Sequence, residues 1–98
     1  MTNPPGTPDH LWDALTANMA SLKKAYAPYK KRKPILLFDL QEQFVYVYSA
    51  KEFIAEMSPR DQANLLPAYA EANKNKSTIV FARDNVARRL CSYPIDLN

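Results

Sequence analysis

The feature that most restricts the fold of this 98-residue chain is a near absence of glycine, combined with eight prolines. The one glycine, Gly6, lies near the N-terminus, so every later turn is made by residues that carry a Cβ atom. Glycine enters positive φ freely, and phosphate-cradling loops require it. The sequence therefore excludes Walker and dinucleotide-binding loops. Asn73, Asn75 and Asn85 are the residues expected at left-handed backbone positions.

Composition indicates one folded domain of ordinary globular character. The chain is 47% hydrophobic and 23% charged, and its length is close to the usual domain size. We expect residues 1–6 to form a disordered tail and residues 7–98 to form a single domain. The single cysteine, Cys91, rules out an intramolecular disulfide. No segment resembles a signal peptide or reaches the ~20 apolar residues of a membrane helix, so we expect a soluble cytoplasmic protein without a membrane partner.

Helical spacing of apolar residues predicts an N-terminal helix over residues 8–26. Thr7 and Pro8 are typical of an N-cap followed by the first helical position. Apolar side chains then recur at steps of three and four, which places them on one face: Leu11, Leu15, Met19, Leu22 and Tyr26. Pro28 is expected to end the helix.

Four segments rich in β-forming residues predict two hairpins. The first pair is Ile35–Phe38 with Phe44–Tyr48, and the second is Thr78–Ala82 with Arg89–Tyr93. Because strands joined by hairpins pair antiparallel, we expect a four-stranded antiparallel sheet with helices packed against it.

Two helices are expected between the hairpins. Ser49 opens a capping box and Ser58 is followed by proline, so each serine marks a helix start. The second helix has an apolar face made of Leu65, Leu66, Tyr69 and Ala72. Pro67 lies within it and predicts a kink or a break. The expected order is α-β-β-α-α-β-β, an α+β fold.

Residue counts argue against catalysis and against metal binding. A transition-metal site needs several histidine or cysteine ligands, and this chain has only His10 and Cys91. A serine nucleophile needs a base, and the expected serines are better explained as helix caps. The carboxylates of Asp39 and Asp84 fall near expected turns, where acidic residues are common. We therefore predict that the protein is not an enzyme and has no catalytic residues, metal or cofactor.

The net positive charge of the chain lies in its first 33 residues. They carry six basic residues against two acidic ones, whereas residues 34–98 carry seven against eight. The basic residues of this segment are Lys23, Lys24, Lys30, Lys31, Arg32 and Lys33. Tyr26 and Tyr29 are interleaved with them, a pattern found in grooves that hold single-stranded nucleic acid. The alternative is a solvated helix face followed by a polar linker.

The second candidate site is the aromatic segment Phe44–Tyr48. Side chains alternate along a strand, so Phe44, Tyr46 and Tyr48 face one way and the two intervening valines face the other. Three aromatic residues on one face indicate a core covered by helices of this chain, an interface with another chain, or a base-stacking surface.

These observations give three functional hypotheses. The first is a small non-catalytic protein-interaction or regulatory module that binds a protein partner or itself, as a homodimer, through Phe44, Tyr46 and Tyr48. The alternative is a nucleic-acid-binding protein that uses the basic segment 23–33. The third is an enzyme whose active site is completed by a partner chain.

Overall fold

A computed structural model describes residues 8–97, so the expected tail and the Thr7 cap lie outside the described residues. Within them lie four α-helices, one 3₁₀ helix and four strands, and the α+β class is confirmed. The elements are α1 (Asp9–Ala17), α2 (Met19–Tyr26), the 3₁₀ helix (Ala27–Arg32), β1 (Ile35–Asp39), β2 (Phe44–Tyr48), α3 (Ala50–Ala55), α4 (Pro59–Lys74), β3 (Thr78–Asp84) and β4 (Arg89–Ile95).

The four strands form one mixed sheet in the order β2-β1-β3-β4. Both predicted hairpins are present, since β1 pairs antiparallel with β2 and β3 pairs antiparallel with β4. The central strands β1 and β3, however, run parallel, with Leu36 opposite Val80 and Asp39 opposite Arg83. The prediction of a fully antiparallel sheet is therefore wrong. The two helices between the hairpins return the chain to the end of the sheet where β1 begins, so β3 runs in the same direction.

The predicted helix over residues 8–26 is broken at Asn18, so the element order also differs. Asn18 has φ −107° and ψ 21°, outside the helical range. Its side-chain Nδ2 donates to the Ala14 carbonyl at 2.8 Å and to Gln43 Oε1 at 3.1 Å. Asparagine side chains compete with the helix for backbone groups in this way. The break therefore has a local cause, which apolar spacing alone does not reveal.

The basic run is helical, and it connects α2 to β1. Residues Ala27–Arg32 form a 3₁₀ helix with Pro28 near its start, where the missing N–H of proline is tolerated. The helix ends at Lys33, whose φ of 49° and ψ of 60° are left-handed. The basic side chains therefore project from a short ordered element.

Four described residues have positive φ, and the expected asparagines are not among them. They are Lys33, Gln43, Lys76 and Arg88, with φ of 49°, 53°, 59° and 55°. The prediction that Asn73, Asn75 and Asn85 occupy such positions is therefore wrong. Each non-glycine residue held in this region costs about 1 kcal/mol. The place where a turn closes determines which residue is left-handed. At Lys76, for example, the N–H donates to the Asn73 carbonyl at 3.2 Å.

Helices of this chain cover both faces of the sheet. Helices α1 and α2 cover one face with a cluster that contains Leu11, Trp12, Leu15, Leu22, Tyr26, Leu36, Phe38, Val80, Ala82, Tyr93 and Leu97. Helices α3 and α4 cover the other face. The buried cluster between them and the sheet contains Ile35, Leu37, Leu65, Ala72, Ile79 and Phe81. The two central strands are buried on both sides, which is typical of strands that pair in parallel.

The two predicted helix caps are confirmed. Ser49 Oγ accepts from the Glu52 N–H and Ser58 Oγ accepts from the Asp61 N–H, each at 3.2 Å. Helix α4 continues through Pro67, so the break expected there is absent.

Two further observations concern the helices. Leu66 is 45% exposed, so its predicted place on the buried face of α4 is wrong. No helix within residues 8–97 combines the length and the apolarity needed to cross a membrane.

Candidate functional site

A cleft of about 500 Å³ lies where the two central strands begin. Five lysines line it: Lys30, Lys31, Lys33, Lys74 and Lys76. None of the residues 8–97 that line it is acidic. Within residues 8–97 the carboxylates of Asp84 and Asp39 contact His10 and Arg83, and no ion pair joins a lysine of the cleft to an acidic residue. We call this feature the lysine cleft.

Parallel pairing of the central strands places the two halves of the lysine cleft together. The 3₁₀ helix ends just before β1, and α4 ends just before β3. Because parallel strands begin at the same edge of a sheet, the basic residues preceding both strands meet there. Tyr69 of α4 donates its hydroxyl to the Lys33 carbonyl at 2.8 Å, which ties the two segments to each other.

A second, smaller pocket of about 200 Å³ is lined by two other residues of the 3₁₀ helix, Tyr29 and Arg32. Its lining is Tyr29, Arg32, Pro34, Val47, Tyr48 and Ser49. Tyr29 is 45% exposed, whereas Pro34 is buried and lines the lysine cleft as well. We call this feature the tyrosine pocket. It presents aromatic rings and a guanidinium group beside the ammonium groups of the cleft.

The structure divides the predicted basic residues into three groups. Lys30, Lys31 and Lys33 line the lysine cleft and Arg32 lines the tyrosine pocket. Lys23 and Lys24 lie exposed on α2 and line neither cavity.

Sequence reasoning missed Lys74 and Lys76, to which it gave no functional role. Their relation to the basic run depends on the parallel pairing. The signal that indicates such pairing is a run of apolar residues that do not alternate with polar ones. Such runs occur in Ile35–Phe38 and Thr78–Ala82.

The aromatic residues of β2 form a row that is exposed at Phe44, where the strand begins, and half-buried at Tyr46 and Tyr48. Tyr48 packs on Phe53 of α3, with ring centroids 5.3 Å apart, and Tyr46 is also half-buried. Phe44 is 55% exposed and contacts Tyr46 edge-on at 4.9 Å. The Tyr46 hydroxyl donates to Glu42 Oε2 at 2.7 Å, and this hydrogen bond raises the pKa of Tyr46. Phe44 is the exposed end of the row, while Tyr48 at the other end also lines the tyrosine pocket.

Two buried carboxylates lie where β1 and β3 end, at the edge of the sheet away from the lysine cleft. Asp39 is the first of them. Asp39 Oδ1 accepts from the Glu42 N–H at 2.9 Å. Its Oδ2 accepts from Arg83 Nη2 at 2.7 Å and from Asn85 Nδ2 at 3.1 Å. The backbone N–H of Glu42 contributes most to lowering the pKa of Asp39; burial opposes it, and Arg83 and Asn85 assist it. The same Asp39 contact raises the pKa of Arg83.

Asp84 is the second buried carboxylate and connects α1 to the β3–β4 turn. His10 Nε2 lies 2.8 Å from Asp84 Oδ2, while Gln41 Nε2 donates to Oδ1 at 2.9 Å and the N–H groups of Val86 and Ala87 donate at 3.1 Å. The hydrogen bond from His10, followed by that from Ala87, lowers the pKa of Asp84 to about 2.

The cluster around Asp39 and Asp84 is best explained as support for the two hairpin turns. Both carboxylates are 3% exposed or less, and both oxygens of each have hydrogen-bond partners. The placement of these carboxylates as ordinary turn residues underestimated their burial. Within residues 8–97 no group of three or more His, Cys, Asp or Glu side chains is arranged to hold a metal ion.

No protein-family model, curated protein or solved structure matches this chain. The lysine cleft, the tyrosine pocket and the β2 edge are therefore the features from which a function is inferred.

Replacing Asp84 by Asn should flatten the acid dependence of folding. The folded pKa of about 2 lies below the unfolded value of about 3.9, so the Asp84 contribution to the free energy of unfolding is present above pH 4. It is lost as the pH falls toward 2. Urea unfolding followed by Trp12 fluorescence measures this slope.

Asp13, an exposed carboxylate on the same helix as His10, provides the matched control. Asp13→Asn should retain the slope of the unmodified protein between pH 4 and pH 2, whereas Asp84→Asn should show a shallower one. Identical slopes for all three proteins would contradict the assignment.

Proposed function

We propose that the protein is a non-catalytic nucleic-acid-binding module that holds the phosphate backbone in the lysine cleft. The observation that carries this proposal is the convergence of Lys30, Lys31 and Lys33 with Lys74 and Lys76 at one edge of the sheet. Ammonium groups bind phosphates as point charges, and affinity for nucleic acid comes largely from such contacts.

The local charge of the cleft supports this more strongly than the net charge of the chain does. The whole chain carries only +3, yet five positive side chains line one cavity without an acidic side chain among the described lining residues. Like charges in one cavity raise the local potential and attract a polyanion. A phosphate backbone would replace mutual repulsion with attraction and release the counterions that accompany it.

Binding should weaken with salt, and this dependence should itself depend on Lys74 and Lys76. Each lost phosphate contact reduces the slope of log K against log salt by about 0.7 for single strands and about 0.9 for duplexes. We expect the double variant Lys74→Gln, Lys76→Gln to lower the affinity. Its salt slope should be smaller by the amount that corresponds to the loss of one to two phosphate contacts. Fluorescence anisotropy of labelled mixed-sequence oligonucleotides measures both.

The matched control removes the same charge outside the cleft. Lys23→Gln with Lys24→Gln changes two exposed lysines of α2 that line neither cavity, so the salt slope should stay close to that of the unmodified protein. Equal losses in the two double variants would show that net charge, rather than the cleft, causes binding. Absence of binding at low salt would refute the proposal.

A second candidate function, self-association, is favoured by the contrast between the two edge strands. The sequence of β2, Phe44–Tyr48, contains neither a charged residue nor proline. The other edge strand, β4, contains Arg89 and Pro94, which hinder pairing with another strand. In the described part of the chain nothing pairs with the outer side of β2. We propose that a second copy pairs there, antiparallel about Tyr46, and covers the exposed ring of Phe44.

Phe44→Lys should shift the protein toward the monomer. A charge placed on an edge strand disfavours pairing, and because Phe44 is 55% exposed its replacement leaves the core intact. Light scattering after size exclusion, over a range of protein concentrations, measures the change. Val86→Lys is the control, since Val86 is 82% exposed in the β3–β4 turn. A monomer at every concentration for the unmodified protein would exclude self-association.

A further inference from the structure

We infer that the ligand of the lysine cleft is single-stranded nucleic acid, one base of which enters the adjoining tyrosine pocket. This inference rests on the proposed nucleic-acid-binding function and names its ligand more narrowly. It depends on the geometry of the 3₁₀ helix, on the wall shared by the two cavities, and on the side chains of the smaller one.

The 3₁₀ helix sorts its side chains by chemistry. Such a helix has three residues per turn, so residues i and i+3 lie above one another. Tyr29 and Arg32 therefore share one side of the helix, and Lys30 and Lys31 lie on its two other sides. The cavities follow this division, because the first pair lines the tyrosine pocket and the second lines the lysine cleft. One short element thus presents a stacking surface and a phosphate-binding surface side by side.

The two cavities are adjacent because they share a wall. Pro34 is buried between the 3₁₀ helix and β1 and contributes to the lining of both. A nucleic-acid strand whose phosphates lie in the lysine cleft has its neighbouring bases within reach of the tyrosine pocket. The arrangement therefore favours a ligand in which phosphates and free bases are linked.

The tyrosine pocket has the side chains that hold unpaired bases. Tyr29 is 45% exposed, Tyr48 is half-buried, and Arg32 is exposed. Aromatic rings and guanidinium planes stack on bases that have left a helix. A duplex keeps its bases stacked inside and offers only phosphates. Stacking at the pocket therefore favours a single strand over a duplex, while the lysine cleft contributes to both.

The test compares one mixed sequence as single-stranded RNA, as single-stranded DNA and as duplex DNA, each dye-labelled, by fluorescence anisotropy at one low salt concentration. Both single strands should bind more tightly than the duplex. Tyr29→Ala should lower single-strand affinity about tenfold and leave duplex affinity unchanged, because stacking on an aromatic side chain contributes to the first alone. Tyr29→Phe keeps the ring and should retain the affinity.

Arg32→Lys provides a second variant that preserves charge. It keeps the positive charge but removes the planar group, so the salt slope should persist while the preference for single strands falls. Trp12 fluorescence during urea unfolding verifies that each variant is folded.

The outcomes separate this inference from the function on which it rests. Equal affinity for the three ligands, or single-strand affinity unaffected by Tyr29→Ala, overturns the inference while lysine-dependent binding stands. Full competition by inorganic polyphosphate at equal phosphate concentration also overturns it, since polyphosphate carries no bases. Failure of all three labelled ligands to bind at low salt refutes nucleic-acid binding itself.

Discussion

The β1 strand pairs in parallel with β3, with Leu36 opposite Val80 and Asp39 opposite Arg83, and this central ladder determines what lies at each edge of the sheet. Parallel strands begin at one edge and end at the other. The segments that precede β1 and β3 therefore form the lysine cleft, and Asp39 and Asp84, the last residues of the two strands, bind the turns that follow them. Helices cover both faces of the central pair, so only the edges and the outer strands remain to contact a ligand.

The two edges of the sheet differ in electrostatic character. At the edge where the central strands end, each buried carboxylate contacts a basic side chain, Arg83 for Asp39 and His10 for Asp84. At the other edge the described lining residues supply positive charge without an acidic side chain among them. The first edge stabilises the fold through satisfied pairs, whereas the second holds charge that a polyanion would neutralise. Binding there should therefore also stabilise the folded state.

Local signals in the sequence predicted most elements, and nonlocal pairing accounts for what they missed. The capping serines, both hairpins and the apolar stripe of the first helices depend on residues close in sequence. The parallel pairing depends on residues far apart, and the side chains that it joins, such as Lys33 and Lys76, show no relation in a linear reading. The unalternated run Thr78–Ala82 was the available signal. The break at Asn18 was missed because apolar periodicity takes no account of side-chain hydrogen bonds.

The most direct test of the account is a map of amide chemical shifts in the isotope-labelled protein during titration with a single-stranded oligonucleotide. If the parallel ladder joins two basic segments into one site, signals near Lys30 and Lys33 will change together with those near Lys74 and Lys76, at the same ligand concentrations. Changes confined to the β3–β4 turn around Arg88, with the residues preceding β3 unaffected, would contradict the account.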